Sequence, residues 1–415
     1  MNDFEDKPWC NPVIIIISGC LIAVIGFGIR SILGLFLEPM TVAREWDRET
    51  FALAMAIQNL IWGVCMPLAG AIADRHGPVR VICIGALIYA CGIWGMAQST
   101  TPLALHVFGG FLTGVGVAFT GFSLALAAMA RVVSSKKRSL VFGLGTAAGS
   151  LGQVLFSPIC QAFITIYGWN FSLIILAASS LFLIPLAFIL PSGVEEGKIE
   201  RSEQKLGEAV KEASCHRGYV LLTMGFFVCG FHVAFITVHF PAYIKDIGLD
   251  PAVAGYAIAL IGLFNIVGSF LSGMAGQRWS KKYGLSFIYL ARAVVITLFI
   301  FMPSSAFAVY FFAATMGVLW LSTVPLTTGI VAQIFGIRYL ATLFGIVFFS
   351  HQVGSFLGVW LGGRIFDATG SYEPMWWAGV VLGIAASVVH LPIDESAVAR
   401  SPLLSNSYQL HNRNK

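Results

Sequence analysis

Charge is scarce in this sequence. Only 11% of its 415 residues are Asp, Glu, Lys or Arg, while 57% are hydrophobic. Soluble domains carry about 25% charged residues, because a surface in water has to be covered. A chain of this length with so little charge is not a soluble globular protein. Catalytic signatures are missing too. There is no Gly-x-x-x-x-Gly-Lys-[Ser/Thr] loop, no His-Glu-x-x-His and no Cys-x-x-Cys. Nucleotide hydrolysis on a phosphate-cradling loop and zinc hydrolysis therefore lack their residues, and no other enzyme constellation is found. The eight cysteines (Cys10, Cys20, Cys65, Cys83, Cys91, Cys160, Cys215 and Cys229) show no paired spacing for a disulfide or a metal. They read as small apolar packing residues. No cofactor and no metal are expected.

What is present is a series of apolar runs. Twelve fall at about 13–37, 51–73, 80–98, 104–130, 140–164, 171–190, 218–243, 252–274, 285–302, 306–332, 340–363 and 375–391. Most are near the roughly 20 residues that cross a bilayer as helix. Helix is the state expected of them, because lipid offers no partners for backbone groups. The first run is too long for the core of a cleaved signal peptide, so it is expected to remain as a span. One long polar interruption, Pro191 to Arg217, separates six runs from six and includes an amphipathic stretch at Gln204–Ala213. The expected divisions are an N-terminus at 1–12, a bundle at 13–190, a linker at 191–217, a bundle at 218–391 and a tail at 392–415, mobile from Asp394.

Lysine and arginine are spread unevenly over the connections. With both termini inside, the inner segments hold 19 of them, and the outer loops hold only Arg44, Arg48, Lys245 and Arg364. That bias predicts cytoplasmic termini. The net charge of +5 lies on inner loops that would face anionic lipid, so no nucleic-acid partner is implied.

Acids are missing from the span interiors. All twenty fall in termini, linker, loops or span ends, and the deep ionisable groups are Arg30, Arg292, His232, His239 and His351. An arginine at the bilayer centre costs roughly 2.5–3.5 kcal/mol on insertion scales, so it normally faces protein or a water-filled cavity. With no intramembrane carboxylate of its own, Arg30 is expected to clamp an anion brought from outside. Gly19, Ala23, Gly26 and Gly34 share its helical face. A small-residue packing seam, with the arginine capping carbonyls, is the alternative. His232 and His239 lie two turns apart on one face of the seventh span, and are expected to line the path and carry a proton. Satisfied structural histidines are the alternative. His351 and Gln352 in the eleventh span and Asn265 in the eighth are candidate substrate contacts, with helix packing as the rival. Gln58-Asn59 in the second span reads like Asn265. Arg292, some seven residues into the ninth span, is expected to snorkel to the inner surface.

Two polar turns occupy matching places. Gly70-Ala-Ile-Ala-Asp74-Arg75-His-Gly77-Pro-Val-Arg80 lies between spans two and three, and Gly273-Met-Ala-Gly-Gln277-Arg278 between spans eight and nine, 203 residues on. Phe142-Gly143 and Phe344-Gly345 repeat at 202 residues. The chain reads as two copies of one six-helix unit. Asp74 is expected to cap a neighbouring helix or to pair with Lys136-Lys137-Arg138, as a latch released in a rocking cycle. A plain hydrated turn is the alternative.

Twelve spans in two halves, with Gly-x-x-x-Asp-Arg-x-Gly at Gly70, Asp74, Arg75 and Gly77 and a basic Arg80 after it, resemble the major facilitator superfamily over roughly residues 13–391. Gly26-Phe-Gly-Ile-Arg30-Ser31 resembles its monocarboxylate-transporter branch, where a basic residue at that place helps bind the carboxylate. Cys229-Gly-Phe-His232, His239-Phe-Pro-Ala-Tyr243 and Phe366-Asp-Ala-Thr-Gly-Ser-Tyr372 resemble bacterial members of that group. Two places depart from the pattern. Asn265 and Ser269 stand where the branch often pairs an acid or amide with an arginine. Gly110 stands where many proton-coupled members carry an arginine before a Gly-x-Gly.

The resemblance implies an all-α membrane protein of twelve transmembrane helices in two pseudo-symmetric bundles, working as a secondary transporter by alternating access. A small organic anion, a monocarboxylate, is the implied substrate, and a proton gradient the drive. Arg30, Asn265, His232, His239, His351 and Gln352 are the candidate substrate contacts. Gly70, Asp74, Arg75, Gly77, Arg80, Gly273 and Arg278 are the candidate gating residues. The expected setting is a bacterial inner membrane, with lipid as the other partner and a monomer as the working unit. An exchanger or exporter of another small molecule on the same fold is the alternative. A non-transporting receptor is a further one, for which no signalling domain is visible.

Overall fold

The computed structural model describes residues 11–133, 135–191, 206–336 and 339–398. Eleven described helices are long and apolar enough to cross a membrane: α1 (Pro12–Arg44), α2 (Arg48–His76), α3 (Pro78–Gln98), α4 (Pro102–Leu126), α5 (Ser135–Tyr167), α6 (Trp169–Ala187), α7 (Arg217–Asp246), α8 (Pro251–Arg278), α9 (Lys281–Phe301), α10 (Ala306–Phe335) and α11 (Leu340–Thr369). The twelfth, α12 (Glu373–His390), has 18 residues and begins Glu-Pro, which dilutes its hydropathy. It packs along α9, with Ser286 Oγ 2.9 Å from Ser387 Oγ.

Local signals explain where these helices begin. Pro12, Pro78, Pro102, Pro251 and Pro374 occupy first turns, where the missing N–H has no intrahelical partner to lose. Asn11, Thr101, Asp250 and Ser305 accept from the N–H groups of Val13, Ala104, Ala252 and Ala308. Gly77 turns α2 into α3 at φ 84, a conformation that suits glycine. A short helix, Leu206–Cys215, precedes α7 close to the amphipathic stretch expected at 204–213. The rest of the linker, 192–205, lies outside the described residues.

Two expectations need correction. The first span does not end near Leu37. It passes through a 3-10 segment at Leu33–Phe36 and continues as helix to Arg44, taking Glu38 with it. Nor is the tail free from Asp394. Glu395 Oε1 accepts from Ser280 Oγ at 3.2 Å, and Lys282 Nζ donates to Ile393 O at 2.8 Å. Val398 N donates to Ile334 O at 3.0 Å. A carboxylate is favoured at the start of α9, where backbone N–H groups lack helical acceptors.

The two halves meet along α2–α11 and α5–α8, pairs related by the internal repeat. The face carrying the loops α1–α2, α7–α8 and α11–α12 is called distal here, and the opposite face, where α7 starts beside Asp394, is called proximal. Contact between the halves is tight towards the distal face. A Cβ on Gly34 would lie 2.1 Å from Thr237 O, and one on Gly363 would lie 2.9 Å from Arg48 O. Halfway down, Gly63 packs on Gln352 and Gly262 on Gln153. Nearer the proximal face, Gly70, Gly273 and Gly345 have no atom within 4 Å of where a Cβ would stand. Among the described residues the halves are thus in contact distally and parted at these glycines proximally.

Both α4 and α10 are interrupted. The first helix of α4 ends at Phe119 and resumes at Phe122, and α10 stops at Leu319 and resumes at Thr323, 200 residues further on. Discontinuous spans at corresponding places in two repeats are a feature of transporter architecture.

Candidate functional site

Arg30 lies near the middle of α1. Its Nη2 donates to Asn59 Oδ1 on α2 at 2.7 Å, and the Asn59 amide is oriented by donating to Met55 O at 2.9 Å. The guanidinium sits 4.3 Å from the centroid of the Trp62 ring, one turn beyond Asn59. Nε of Arg30 is buried without a partner, and among the described residues no carboxylate pairs with the group. The seam seen in the sequence is real for part of the face: Gly19 packs on Met129 and Gly34 on α7.

From Trp62 an aromatic line crosses between the halves. Trp62 meets Phe348 edge-on at 5.3 Å, and Phe348 stacks on His351 at 5.6 Å. The His351 Nδ1 lies 3.2 Å from Gln352 Oε1, and Gln352 Nε2 is buried without a partner. Of the expected substrate contacts, the structure therefore brings Arg30, His351 and Gln352 to one region, on α1 and α11, with Asn59 and Trp62 of α2 between them.

The other three are turned to different partners. Asn265 Nδ2 donates to Ser150 Oγ of α5 at 3.0 Å, while its Oδ1 accepts from Leu321 N at 3.0 Å and from Ser269 Oγ at 3.1 Å. It ties the halves together and supports the break in α10. His232 is 2.8 Å from Gly379 O of α12, and His239 is bonded to Tyr372 Oη and Val359 O. Both rings do share a face of α7, but that face packs on α11 and α12 within one half, so the shared path expected for them is not the arrangement seen.

Arg292 requires a clear correction. It is 1% exposed and does not snorkel. Its Nη2 donates to the carbonyls of Leu319 (2.7 Å) and Trp320, and lies 3.6 Å from Cys229 Sγ. The break in α10 leaves these carbonyls without helical donors, and the guanidinium supplies them. Gly110 has a structural reason as well. A Cβ there would be 3.0 Å from Ala54 O, so α4 lies close against α2 at this point.

The motif expected to gate is a tight turn, with the Gly77 N–H donating to Ala73 O at 2.9 Å and Arg75, Arg80 and Arg278 exposed. The latch expected between Asp74 and Lys136-Lys137-Arg138 falls outside the described side chains. In the second half, Lys281 Nζ donates to Gln333 Oε1 at 2.7 Å, joining the start of α9 to the proximal end of α10.

Sequence reasoning missed the distal gate. Arg48 Nη1 and Nη2 clasp Asp246 Oδ2 and Oδ1, each at 2.6 Å. Lys245 pairs with Glu38 at 2.6 Å and Arg364 with Glu49 at 3.7 Å. Asp367 accepts from the backbone N–H groups of Arg48 (3.1 Å) and Glu49 (2.6 Å), capping α2 from the other half. Each of these contacts joins one half to the other. Counted as loop charges, they gave no sign of pairing across 198 to 319 residues.

The chain's relatives agree with this architecture. The sequence profile described as Major Facilitator Superfamily matches residues 19–250 and 222–405. The chain is 23% identical over 370 residues to monocarboxylate transporter 13 of Rattus norvegicus, covering 86% of this chain and 83% of that one. It is 27% identical over 356 residues to an uncharacterized MFS-type transporter, YcxA, of Bacillus subtilis (strain 168), covering 81% and 84%. Among solved structures, a bacterial homolog of the human lysosomal transporter Spinster, inward-facing and occupied, superposes with a TM-score of 0.75 at 13% identity, over 96% of this chain and all of that one.

Proposed function

The chain belongs to the Major Facilitator Superfamily, and on that premise we propose that it carries a small organic anion, a monocarboxylate, across a bacterial inner membrane by proton symport. The observation that carries the reading is Arg30. A guanidinium in mid-span, oriented by an amide and an aromatic face, with a buried Nε unpartnered and no described carboxylate beside it, suits a carboxylate cargo. A cation would meet repulsion there. The name of the rat relative supports the same class.

In this reading both termini are cytoplasmic, the distal face is external, and the monomer is the working unit. Arg30 engages the carboxylate, Asn59 and Trp62 hold Arg30 in place, and Gln352 offers an amide from the other half. His351, stacked on the same aromatic line, borders the same region from α11. Loading a proton with the anion lowers the net charge of the load, which eases passage through a low-dielectric path. The halves then rock about the site, closing Gly70 and Gly273 into the gap they face here.

The test is uptake into proteoliposomes of radiolabelled small monocarboxylates, with and without an inward proton gradient. Accumulation that needs the gradient and is lost in Arg30→Ala supports the proposal. Uptake of a cation or a neutral sugar, indifferent to Arg30, overturns the cargo assignment.

A further inference from the structure

We infer that His239 is a proton site whose neutral form the closed distal gate requires, so that protonation of this ring opens the gate. The inference does not depend on the cargo and would hold for a neutral or anionic one.

Its basis is the direction of each hydrogen bond. His239 Nε2 lies 2.7 Å from Val359 O, and a carbonyl can only accept, so Nε2 carries a hydrogen. His239 Nδ1 lies 3.0 Å from Tyr372 Oη. Tyr372 Oη in turn accepts from Arg48 Nη1 at 3.1 Å, and the Arg48 fork is held by both oxygens of Asp246. Among the described residues Nδ1 is the one acceptor bonded to the Tyr372 hydroxyl hydrogen, and the arrangement in which every group is satisfied has Nδ1 offering a lone pair. The ring is neutral. A proton chain runs from Arg48 through Tyr372 and His239 to the α11 backbone, and every donor along it is matched.

Adding a proton at Nδ1 breaks that order. An N–H would then point at Tyr372 Oη, and the hydroxyl hydrogen would have to turn elsewhere. The ring is fully buried, so water cannot share the charge. Among the described residues the hydroxyl has no bonded acceptor other than Nδ1, so its hydrogen would lose its partner. A second cation would also sit one hydroxyl away from Arg48. Moving Arg48 away from Tyr372 relieves the repulsion, and that movement undoes the Arg48–Asp246 pair joining the halves.

The groups facing the ring from each neighbouring element are few. From α7 come Phe235 and, further out, Asp246. From α11 come Val359 and Gly362, with Phe366 under Arg48. Tyr372 and, beyond Phe235, Trp376 come from the α12 side, and Arg48 comes from α2. The other charges of the gate are engaged: Asp367 on the start of α2, Glu49 on Trp360 and Arg364, and Lys245 on Glu38.

The experiment is amide hydrogen exchange of the unmodified protein across the start of α2, between about pH 8 and pH 5, after correction for the intrinsic pH dependence of exchange. The Arg48 and Glu49 amides are protected by Asp367 only while the gate is shut. Their protection is expected to fall several-fold as pH drops in the wild-type protein, and to become independent of pH in His239→Gln. In Tyr372→Phe, which removes only the hydroxyl link, pH independence is expected as well. Wild-type protection that does not vary with pH overturns the inference. So does pH dependence that survives in both variants, because a group other than His239 would then control the gate.

Discussion

Arg30 and Trp62 face each other across α1 and α2, the guanidinium 4.3 Å from the ring centroid. An aromatic face attracts a cation by about 0.5–2 kcal/mol, yet adds no negative charge. The arginine is thus held in place while its charge remains available. Replacing it with alanine should lower uptake about tenfold to a hundredfold, the worth of a charge-assisted hydrogen bond. Lysine, which keeps charge but loses the fork, should fall between. Asn59→Leu should raise KM for the same cargo while the protein stays folded. Initial rates in proteoliposomes check all three, and full activity in Arg30→Ala would sink the assignment.

Gly70 and Gly273 face open space in the conformation described. A leucine at either place should leave the thermal unfolding midpoint of the purified protein within a degree or two, since surface substitutions away from packed features change stability by about 0.5 kcal/mol or less. Transport should nonetheless fall sharply, because the gap cannot close around a large side chain. Normal turnover in Gly70→Leu and Gly273→Leu would remove these residues from the gating role.

Gly34 offers the opposite case. Its added Cβ would strike Thr237 O at 2.1 Å, and that neighbour is backbone. Gly34→Val is expected to hold the distal face open and stop transport. A cysteine introduced at Val238, buried in the present state, should then react faster with a membrane-impermeant maleimide than the same cysteine in the wild-type background. Equal rates would show that α1 and α7 can close around the larger residue.

Arg292→Met should destabilise the protein by roughly 2–3 kcal/mol, because the carbonyls of Leu319 and Trp320 lose a charged donor in a buried place. The readout is the unfolding midpoint in detergent, expected to drop by several degrees. An arginine that merely reached for the surface would show no such drop.

The distribution of apolar residues was enough to number the spans, to divide them six and six, and to locate the repeat through Gly70 and Gly273. It was also enough to single out Arg30, because a deep cation without a deep acid can be seen in the order of residues alone. Helical periodicity placed His232 and His239 on one face. It had no means of saying which neighbour that face would meet, and the ring partners turned out to be Gly379, Val359 and Tyr372. Arg292 escapes the sequence for the same reason: it lies seven residues into the apolar run from 285, near enough to the surface to snorkel, but the helix begins at Lys281 and broken backbone lies alongside. The distal gate joins Arg48 to Asp246, and each is an ordinary span-end charge when taken singly. Linear order decides what a helix can bury. Which helices lie side by side, and in what register, is decided by glycine contacts and polar pairs between residues far apart in the chain, and those exist only once the bundle has packed.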